Sequence, residues 1–107
     1  MTKGKIYFLC SDNKIKIGYT KGSIEKRIQQ LNTGSPNKIY KLGWIEGDKE
    51  IEKQLHIKFS EYRIRSNGEW FLGNQKIIDY INEVNQEPNI YIDIVDNKIL
   101  PLLKLSL

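Results

Sequence analysis

The sequence predicts a small α/β (α+β) domain with a central, mainly antiparallel three-stranded sheet flanked by helices, plus a C-terminal strand or hairpin extension. Its 107 residues suffice for one modest hydrophobic core. Two runs of alternating apolar residues surround Ser11-Asp12-Asn13, a pattern typical of a hairpin, and segments with helical periodicity follow. We therefore expect one domain over residues 1–87 and a strand-like extension packed on it over residues 88–107.

The turn predicts the register of the first hairpin. With Asp12 and Asn13 as the two loop residues, Tyr7 lies opposite Gly18. Side chains alternate along a strand, so the pairing also assigns every residue to a face. One face carries Ile6, Phe8, Cys10, Ile15, Ile17 and Tyr19, and the other carries Tyr7, Leu9, Lys16 and Gly18. The missing side chain at Gly18 is expected to leave space beside the Tyr7 phenol.

Capping residues and apolar spacing predict the helices. Ser23 should cap a helix over Ile24 to Asn32 that ends at Gly34-Ser35-Pro36 and leaves Arg27 partly sheltered beside its apolar stripe. Asp48 should open a second helix. The buried ridge of that helix would be Ile51, Leu55 and Phe59, and a third helix in "NQKIIDYINEV" would point Ile77, Ile78, Ile81 and Val84 inward.

Three further segments are predicted to contain extended strands. "KIYKLGWIEG" alternates as a third strand, with Leu42 and Trp44 on one face. "SNGEWF" is a turn that leads into a short extended piece. In the tail, Ile90, Ile92 and Ile94 alternate before a second Asp-Asn turn, and Pro101 is expected at a sheet edge.

Composition narrows the classes of function. The net charge is +4, which mildly favours a polyanionic partner such as nucleic acid, although a lysine-rich composition gives the same charge without one. Cys10 is the only cysteine and His56 the only histidine, so neither an intramolecular disulfide nor a structural zinc site is expected. A secretory signal and an apolar stretch long enough for a bilayer are both absent from the sequence. The expected location is therefore the cytoplasm, or the host cytoplasm if the source is a phage or virus, with no membrane partner.

Five short pieces occur in an order that resembles the GIY-YIG nuclease domain, most closely its phage- and virus-borne branch. They are "KIYF", "IKIGYT", "EKRIQQLNTGSP", "EIEKQLHIKF" and "GEWF", and the resemblance covers roughly Gly4 to Ile81. Each piece is common by itself, so the order and spacing carry the resemblance. The resemblance implies a DNA endonuclease that hydrolyses phosphodiester bonds with one divalent cation, Mg²⁺ or Mn²⁺.

The chemistry of phosphodiester hydrolysis gives three of these residues a role. The reaction needs an activated water, a clamp on the phosphate and a cation beside the leaving oxygen. By the resemblance, Tyr7 is the base or the residue that positions water, Arg27 grips the phosphate, and Glu52 holds the metal. An unperturbed tyrosine has a pKa near 10, so Tyr7 would need a positive charge nearby to act as a base. Each residue also has an alternative interpretation without a catalytic role. Tyr7 could be an ordinary strand residue, Arg27 a solvated helix residue and Glu52 an exposed helix carboxylate.

Other residues are assigned supporting roles. Lys16 stands where the family has its second tyrosine, so that tyrosine's role is absent, moved to Tyr19, or replaced by a cation that contacts phosphate or lowers the Tyr7 pKa. His56 is expected to orient Glu52, contact a phosphate or simply pack. Candidate substrate contacts are Gly18, Tyr19 and Lys21, and candidate structural residues of the "GEWF" turn are Glu69 and Trp70, with a second metal at Glu69 as an outside alternative.

Two other functions stay open at this point. One is a nucleic-acid-binding module on the same fold that is catalytically weak or inactive, and Lys16 is the feature that most favours it. The other is an interaction domain whose apolar tail, "ILPLLKLSL", forms a homo-oligomer contact. Sequence preference, oligomeric state and biological role are not encoded in a recognisable pattern.

Overall fold

A four-stranded antiparallel sheet forms the centre of the protein in a computed structural model, which describes residues 4–33 and 38–103. The strands follow the spatial order β3-β1-β2-β4. The strand bounds are β1 Gly4–Ser11, β2 Lys14–Thr20, β3 Tyr40–Gly47 and β4 Trp70–Leu72, and the helix bounds are α1 Ile24–Asn32, α2 Lys49–Lys58 and α3 Gln75–Val84. A C-terminal hairpin of β5 Ile90–Val95 and β6 Lys98–Leu103 completes the fold. The predicted class is confirmed, with "GEWF" supplying a fourth strand.

The predicted register of the first hairpin is confirmed over its whole length. Ser11 pairs with Lys14, and Tyr7 pairs with Gly18. Asp12 has a φ of 55°, a left-handed conformation that Asp tolerates better than most residues. The short Asp-Asn turn therefore fixes which side chains share each face.

The two faces of the sheet bury different clusters. The face that carries Phe8 packs against α2, α3 and the C-terminal hairpin, in the main core of the protein. The opposite face, which we call the Tyr7 face, packs against α1 in a smaller cluster. Its members are Tyr7, Leu9, Ile24 and Ile39, with Ile28, Leu31, Trp44 and Trp70 partly buried around them.

The helices begin where the sequence predicts. Ser23 accepts a hydrogen bond from the amide of Lys26 at 3.3 Å and caps α1, and Asp48 caps α2 by accepting from the amide of Ile51 at 3.0 Å. Asn74 caps α3 in the same way. The expected stop of α1 at Gly34-Ser35-Pro36 lies outside the described residues. The caps satisfy amides that a helix leaves unpaired in its first turn.

The predicted faces of β3 are wrong in part. The register with β1 shifts between Phe8 and Leu9, so that strict alternation is lost at Leu42. Leu42 therefore belongs to the main core, whereas Trp44 joins the cluster of the Tyr7 face. A β-bulge of this kind adds one residue to a strand and re-aims the side chains beyond it.

The C-terminal extension forms the expected hairpin. Its turn residues Asp96 and Asn97 have φ values of 52° and 63°. Ile92 and Ile99 are buried in the main core, and the amide of Ile99 donates to the Asp12 carbonyl at 3.0 Å. Within the described residues, no helix is long and apolar enough to cross a membrane.

Candidate functional site

The Tyr7 ring lies directly over Gly18. Tyr7 is only 3% exposed, and a Cβ built at Gly18 would overlap its ring, with Cε1 at 2.6 Å. The sequence predicted free space beside the phenol, but the ring itself fills that space. Gly18 is needed because no side chain fits beneath Tyr7.

Three charged side chains lie within electrostatic reach of the Tyr7 phenol. Burial, followed by the negative charge of Glu69, raises the pKa of Tyr7 to about 12. Arg27 acts in the opposite direction and Glu52 raises the pKa further. We call the residues Tyr7, Arg27, Glu52 and Glu69, together with Lys16, the Tyr7 cluster. Its members come from β1, α1, α2, the residue before β4, and β2.

The arginine of this cluster is more open than its sequence position suggested. Arg27 is exposed rather than partly sheltered. The reason is that α1 is short and has a single fully buried residue, Ile24, so the flank of its apolar stripe stays in solvent. An exposed guanidinium near a buried phenol is well placed to meet an anionic ligand that arrives from solvent.

Glu52 is a half-buried carboxylate beside a second acid. Burial, followed by the charge of Glu69, raises the pKa of Glu52, while His56, Lys49 and Lys16 act in the opposite direction. Within the described residues, Glu52 makes no ion pair within 4 Å. A partly desolvated carboxylate without a close cation is under strain that a bound cation would relieve.

Lys16 is paired with Glu69. Their charged atoms are 3.0 Å apart, and the side chain of Lys16 is only 12% exposed. The Lys16 ammonium also lies 5.4 Å from the centre of the Trp70 ring, because Lys16 and Trp70 face each other across β2 and β4. Burial and the charge of Glu69 raise the pKa of Tyr7, and the expected lowering of that pKa by Lys16 stays a prediction. The contact that the structure gives Lys16 is its ion pair with Glu69.

His56 ties α2 to the strand that carries Gly18. It is 7% exposed, and its Nε2 lies 2.8 Å from the Ile17 carbonyl oxygen. Its Nδ1 lies 3.3 Å from Nη2 of Arg63. An arginine can only donate and a carbonyl oxygen can only accept, so these two contacts fit the tautomer with a hydrogen on Nε2. His56 is therefore a packed, hydrogen-bonded histidine one turn after Glu52.

Sequence reasoning missed Arg63. Its Nε donates to the Gly68 carbonyl at 2.7 Å, and it pairs with Phe71 in an isolated bridge. Arg63 thus joins the turn before β4 to the His56 ring. The sequence gives no signal for this contact, because Arg63 follows α2 after a 3₁₀ turn over Ser60–Tyr62 that breaks the helical periodicity.

The remaining predicted residues lie away from the Tyr7 cluster or beside it. Tyr19 lies on the opposite face of the sheet, where it packs against the main core and covers Gly4. Lys21 is exposed in the turn after β2. Trp70 is half-buried on the Tyr7 face, and Phe71 is fully buried in the main core. Six predicted residues thus lie around Tyr7, namely Lys16, Gly18, Arg27, Glu52, Glu69 and Trp70, whereas His56 packs from α2 against Ile17, and Tyr19 and Lys21 lie outside the cluster.

The donor set fits a hard divalent cation held by few protein ligands. Residues 4–33 and 38–103 contain no group of three or more His, Cys, Asp or Glu side chains placed to hold a metal. Mg²⁺ often takes one or two carboxylates and completes its shell with water and phosphate oxygens. Glu52 has a suitable oxygen ligand without a close cation of its own, whereas Glu69 is already paired with Lys16. Together the cluster combines a phenol, a guanidinium and a carboxylate, which suits the handling of a phosphate ester.

Comparison with known proteins identifies the family. A family model described as the T5orf172 domain matches residues 4–86, which include all of β1 to α3 and every residue of the Tyr7 cluster. This is a phage-associated domain related to nuclease-like folds. No curated protein and no solved structure matches the chain significantly. The chain belongs to the T5orf172 domain family.

Proposed function

We propose that this protein is a metal-dependent DNA endonuclease of the GIY-YIG type that hydrolyses phosphodiester bonds by a one-metal mechanism. The observation that carries the proposal is the Tyr7 cluster itself. The elements β1, α1 and α2 bring an exposed arginine and a half-buried carboxylate within electrostatic reach of a buried phenol. Ordinary packing does not require these groups to converge, and perturbed pKa values on converging groups are typical of functional sites.

Each residue has a role that follows from its surroundings. With a pKa of about 12, Tyr7 keeps its proton at neutral pH, so it orients the attacking water by a hydrogen bond rather than resting as a phenolate. Arg27 holds the non-bridging oxygens of the scissile phosphate from the open side of the site. Glu52 would hold the cation. When bound there, Mg²⁺ or Mn²⁺ would supply Lewis-acid polarisation of the phosphate and charge neutralisation at the leaving oxygen.

His56 and Arg63 are positioning residues in this scheme. Both nitrogens of the His56 ring are engaged by the Ile17 carbonyl and the Arg63 guanidinium. These bonds hold α2, and with it Glu52, against the strand that carries Gly18. Glu69 and Lys16 form an ion pair beside them. The cost of a misplaced ligand is large in such a site, because catalysis depends on groups that are already oriented.

A cleavage assay tests the proposal. Supercoiled plasmid and branched DNA would be incubated with the protein in Mg²⁺, Mn²⁺ or EDTA, beside Tyr7→Phe and Arg27→Ala. Lys26→Ala is the matched control for Arg27→Ala, because it removes an exposed cation one position earlier on α1. We expect metal-dependent products that both site variants reduce by about a hundredfold or more and that the control retains. Metal-independent products, or equal losses in the control, would contradict the assignment.

One observation favours a second function, a nucleic-acid-binding module without efficient cleavage. Lys16 occupies the place of the family's second tyrosine and is held by Glu69 at 3.0 Å. A phenol with a raised pKa and no such partner is a weak base. The two functions differ at Glu52. Glu52→Gln would abolish cleavage by a nuclease, whereas a binding module would bind DNA equally well or more tightly once that negative charge is removed.

A further inference from the structure

A cationic cavity lies near the Tyr7 cluster, at the turn of the first hairpin. It has a volume of about 450 Å³ and lies between the β1–β2 turn and the loop before β4. Its lining residues are Ser11, Lys14, Ile64, Arg65, Gly68 and Trp70. The volume is within the range of small-ligand sites, which run from roughly 300 to 1,000 Å³.

The lining of this cavity is cationic and apolar. Lys14 and Arg65 are exposed cations, Trp70 and Ile64 provide apolar surface, and the lining contains no carboxylate. A second cavity of about 410 Å³, beside α2 and α3, has a different character. Its lining includes Glu61, Asp79 and Glu83 as well as Lys58 and Lys76. Lysines are abundant in this chain, but of these two cavities the first alone combines cations with an aromatic ring and has no acidic residue in its lining.

The cavity lies on the same face of the sheet as the Tyr7 cluster. Ser11 and Lys14 lie on the same face as Tyr7, because Ser11 follows Tyr7 by four residues on β1 and pairs with Lys14. At about 3.3 Å per residue, the distance along β1 from Tyr7 to Ser11 is roughly 13 Å, equal to a few stacked nucleotides. Trp70 joins the two sites, since it lines the cavity and also lies beneath the Lys16 ammonium.

We propose that this cavity binds an unpaired nucleotide of the DNA strand next to the scissile phosphate. The inference rests on the proposed endonuclease function, for which it names the substrate class as DNA with a single-stranded segment. Lys14 and Arg65 contact the backbone phosphates, and the base enters against Trp70 and Ile64. A cationic groove with an aromatic platform is the usual arrangement for single strands. A base within a duplex cannot enter such a cavity without leaving its stack.

Binding measured in EDTA tests the cavity separately from cleavage. The probe is a labelled oligothymidylate of about 12 nucleotides, compared with a duplex of equal length by fluorescence anisotropy. The test variant is Lys14→Ala/Arg65→Ala, which changes two exposed residues and should leave the core intact. The matched control is Lys58→Ala/Lys76→Ala, which removes the two cations of the other cavity. Glu52→Gln is measured beside them.

The cavity variant should bind the single strand at least about tenfold more weakly. Its slope of log K against log salt concentration should become shallower by about 1.4, because each of the two lost phosphate contacts contributes roughly 0.7. Its loss for the duplex should be smaller, and the control should stay within about twofold of the parent protein. Equal losses in the control, no loss in the cavity variant, or a larger loss for the duplex would overturn the proposal. Glu52→Gln should bind the single strand in EDTA as tightly as the parent protein does, although it should not cleave DNA in Mg²⁺. The binding assay therefore tests the cavity, and the cleavage assay tests the endonuclease function separately.

Discussion

Gly18→Ala tests the packing at the centre of the site. The new Cβ would overlap Cζ and Oη of Tyr7 and lie 2.6 Å from Cε1. The ring has little room to move, since Tyr7 is 3% exposed and the neighbouring side chains Leu9 and Ile24 are also buried. Forcing extra atoms into a packed core typically costs about 1–3 kcal/mol. We expect Gly18→Ala to lower the free energy of unfolding by that amount and to reduce cleavage by displacing the phenol.

Urea unfolding gives the measurement. For a domain of this size, a loss of about 2 kcal/mol corresponds to a midpoint shift on the order of 1 M urea. Gly22→Ala is the matched control, because the nearest atom to its added Cβ is Thr20 Oγ1 at an ordinary 3.7 Å, and it should change stability by less than about 0.5 kcal/mol.

A double-mutant cycle identifies the cause. In a Tyr7→Leu background the smaller side chain leaves room, so Gly18→Ala should cost less there than in the parent protein by at least about 0.5 kcal/mol. Strictly additive losses, or a Gly18→Ala variant as stable as Gly22→Ala, would refute the argument that Gly18 is required by the Tyr7 ring.

Three further changes probe the structure around the site. Burial raises the pKa of Cys10 from 9.0 to about 12, so the unfolded chain loses its thiol proton at a lower pH than the folded protein does. The stability contributed by the neutral thiol is therefore lost as the pH rises from about 9 to 12. Cys10→Val should make the unfolding free energy, measured in urea, depend less on pH over this range, and an unchanged pH dependence would count against the argument. Asn85→Ala would remove the hydrogen-bond partner of the Trp44 and Glu87 amides and of the Leu42 carbonyl. It should lower the unfolding free energy by about 2–4 kcal/mol, and a much smaller loss would contradict the structural role of this side chain. Arg63→Met removes the hydrogen bonds to the His56 ring and the Gly68 carbonyl and should lower the unfolding free energy by about 1.5–3 kcal/mol. The matched change at the exposed Arg65, Arg65→Met, should leave the unfolding free energy nearly unchanged. Equal effects of the two changes in thermal unfolding would contradict the positioning role of Arg63.

Local chemistry made much of the fold predictable. The Asp12-Asn13 turn fixes the first hairpin, and Ser23 and Asp48 supply side-chain caps that define where their helices begin. The faces of β3 were less predictable, because the bulge at Leu42 depends on pairing with β1, and alternation along one strand carries no information about its partner.

The candidate site was predictable only in part. Tyr7, Arg27 and Glu52 were suggested by short motifs, and the geometry brings them within electrostatic reach. The ion pair of Lys16 with Glu69 was not foreseen, since more than fifty positions separate the two residues and only the pairing of β2 with β4 brings them together. The exposure of Arg27 likewise depends on how little of α1 is buried, which apolar spacing alone overstates.

The most direct test of the central claim is the rate of plasmid nicking in Mg²⁺ by Glu52→Gln and by Glu50→Gln. Both changes remove one carboxylate from α2, but Glu50 is exposed and Glu52 lies in the Tyr7 cluster. We predict metal-dependent nicking by the parent protein and by Glu50→Gln, with a loss of about a thousandfold or more in Glu52→Gln, because no other carboxylate of the cluster is free of a close cation. Nicking by Glu52→Gln at the parent rate would contradict the assignment of Glu52 as the metal ligand.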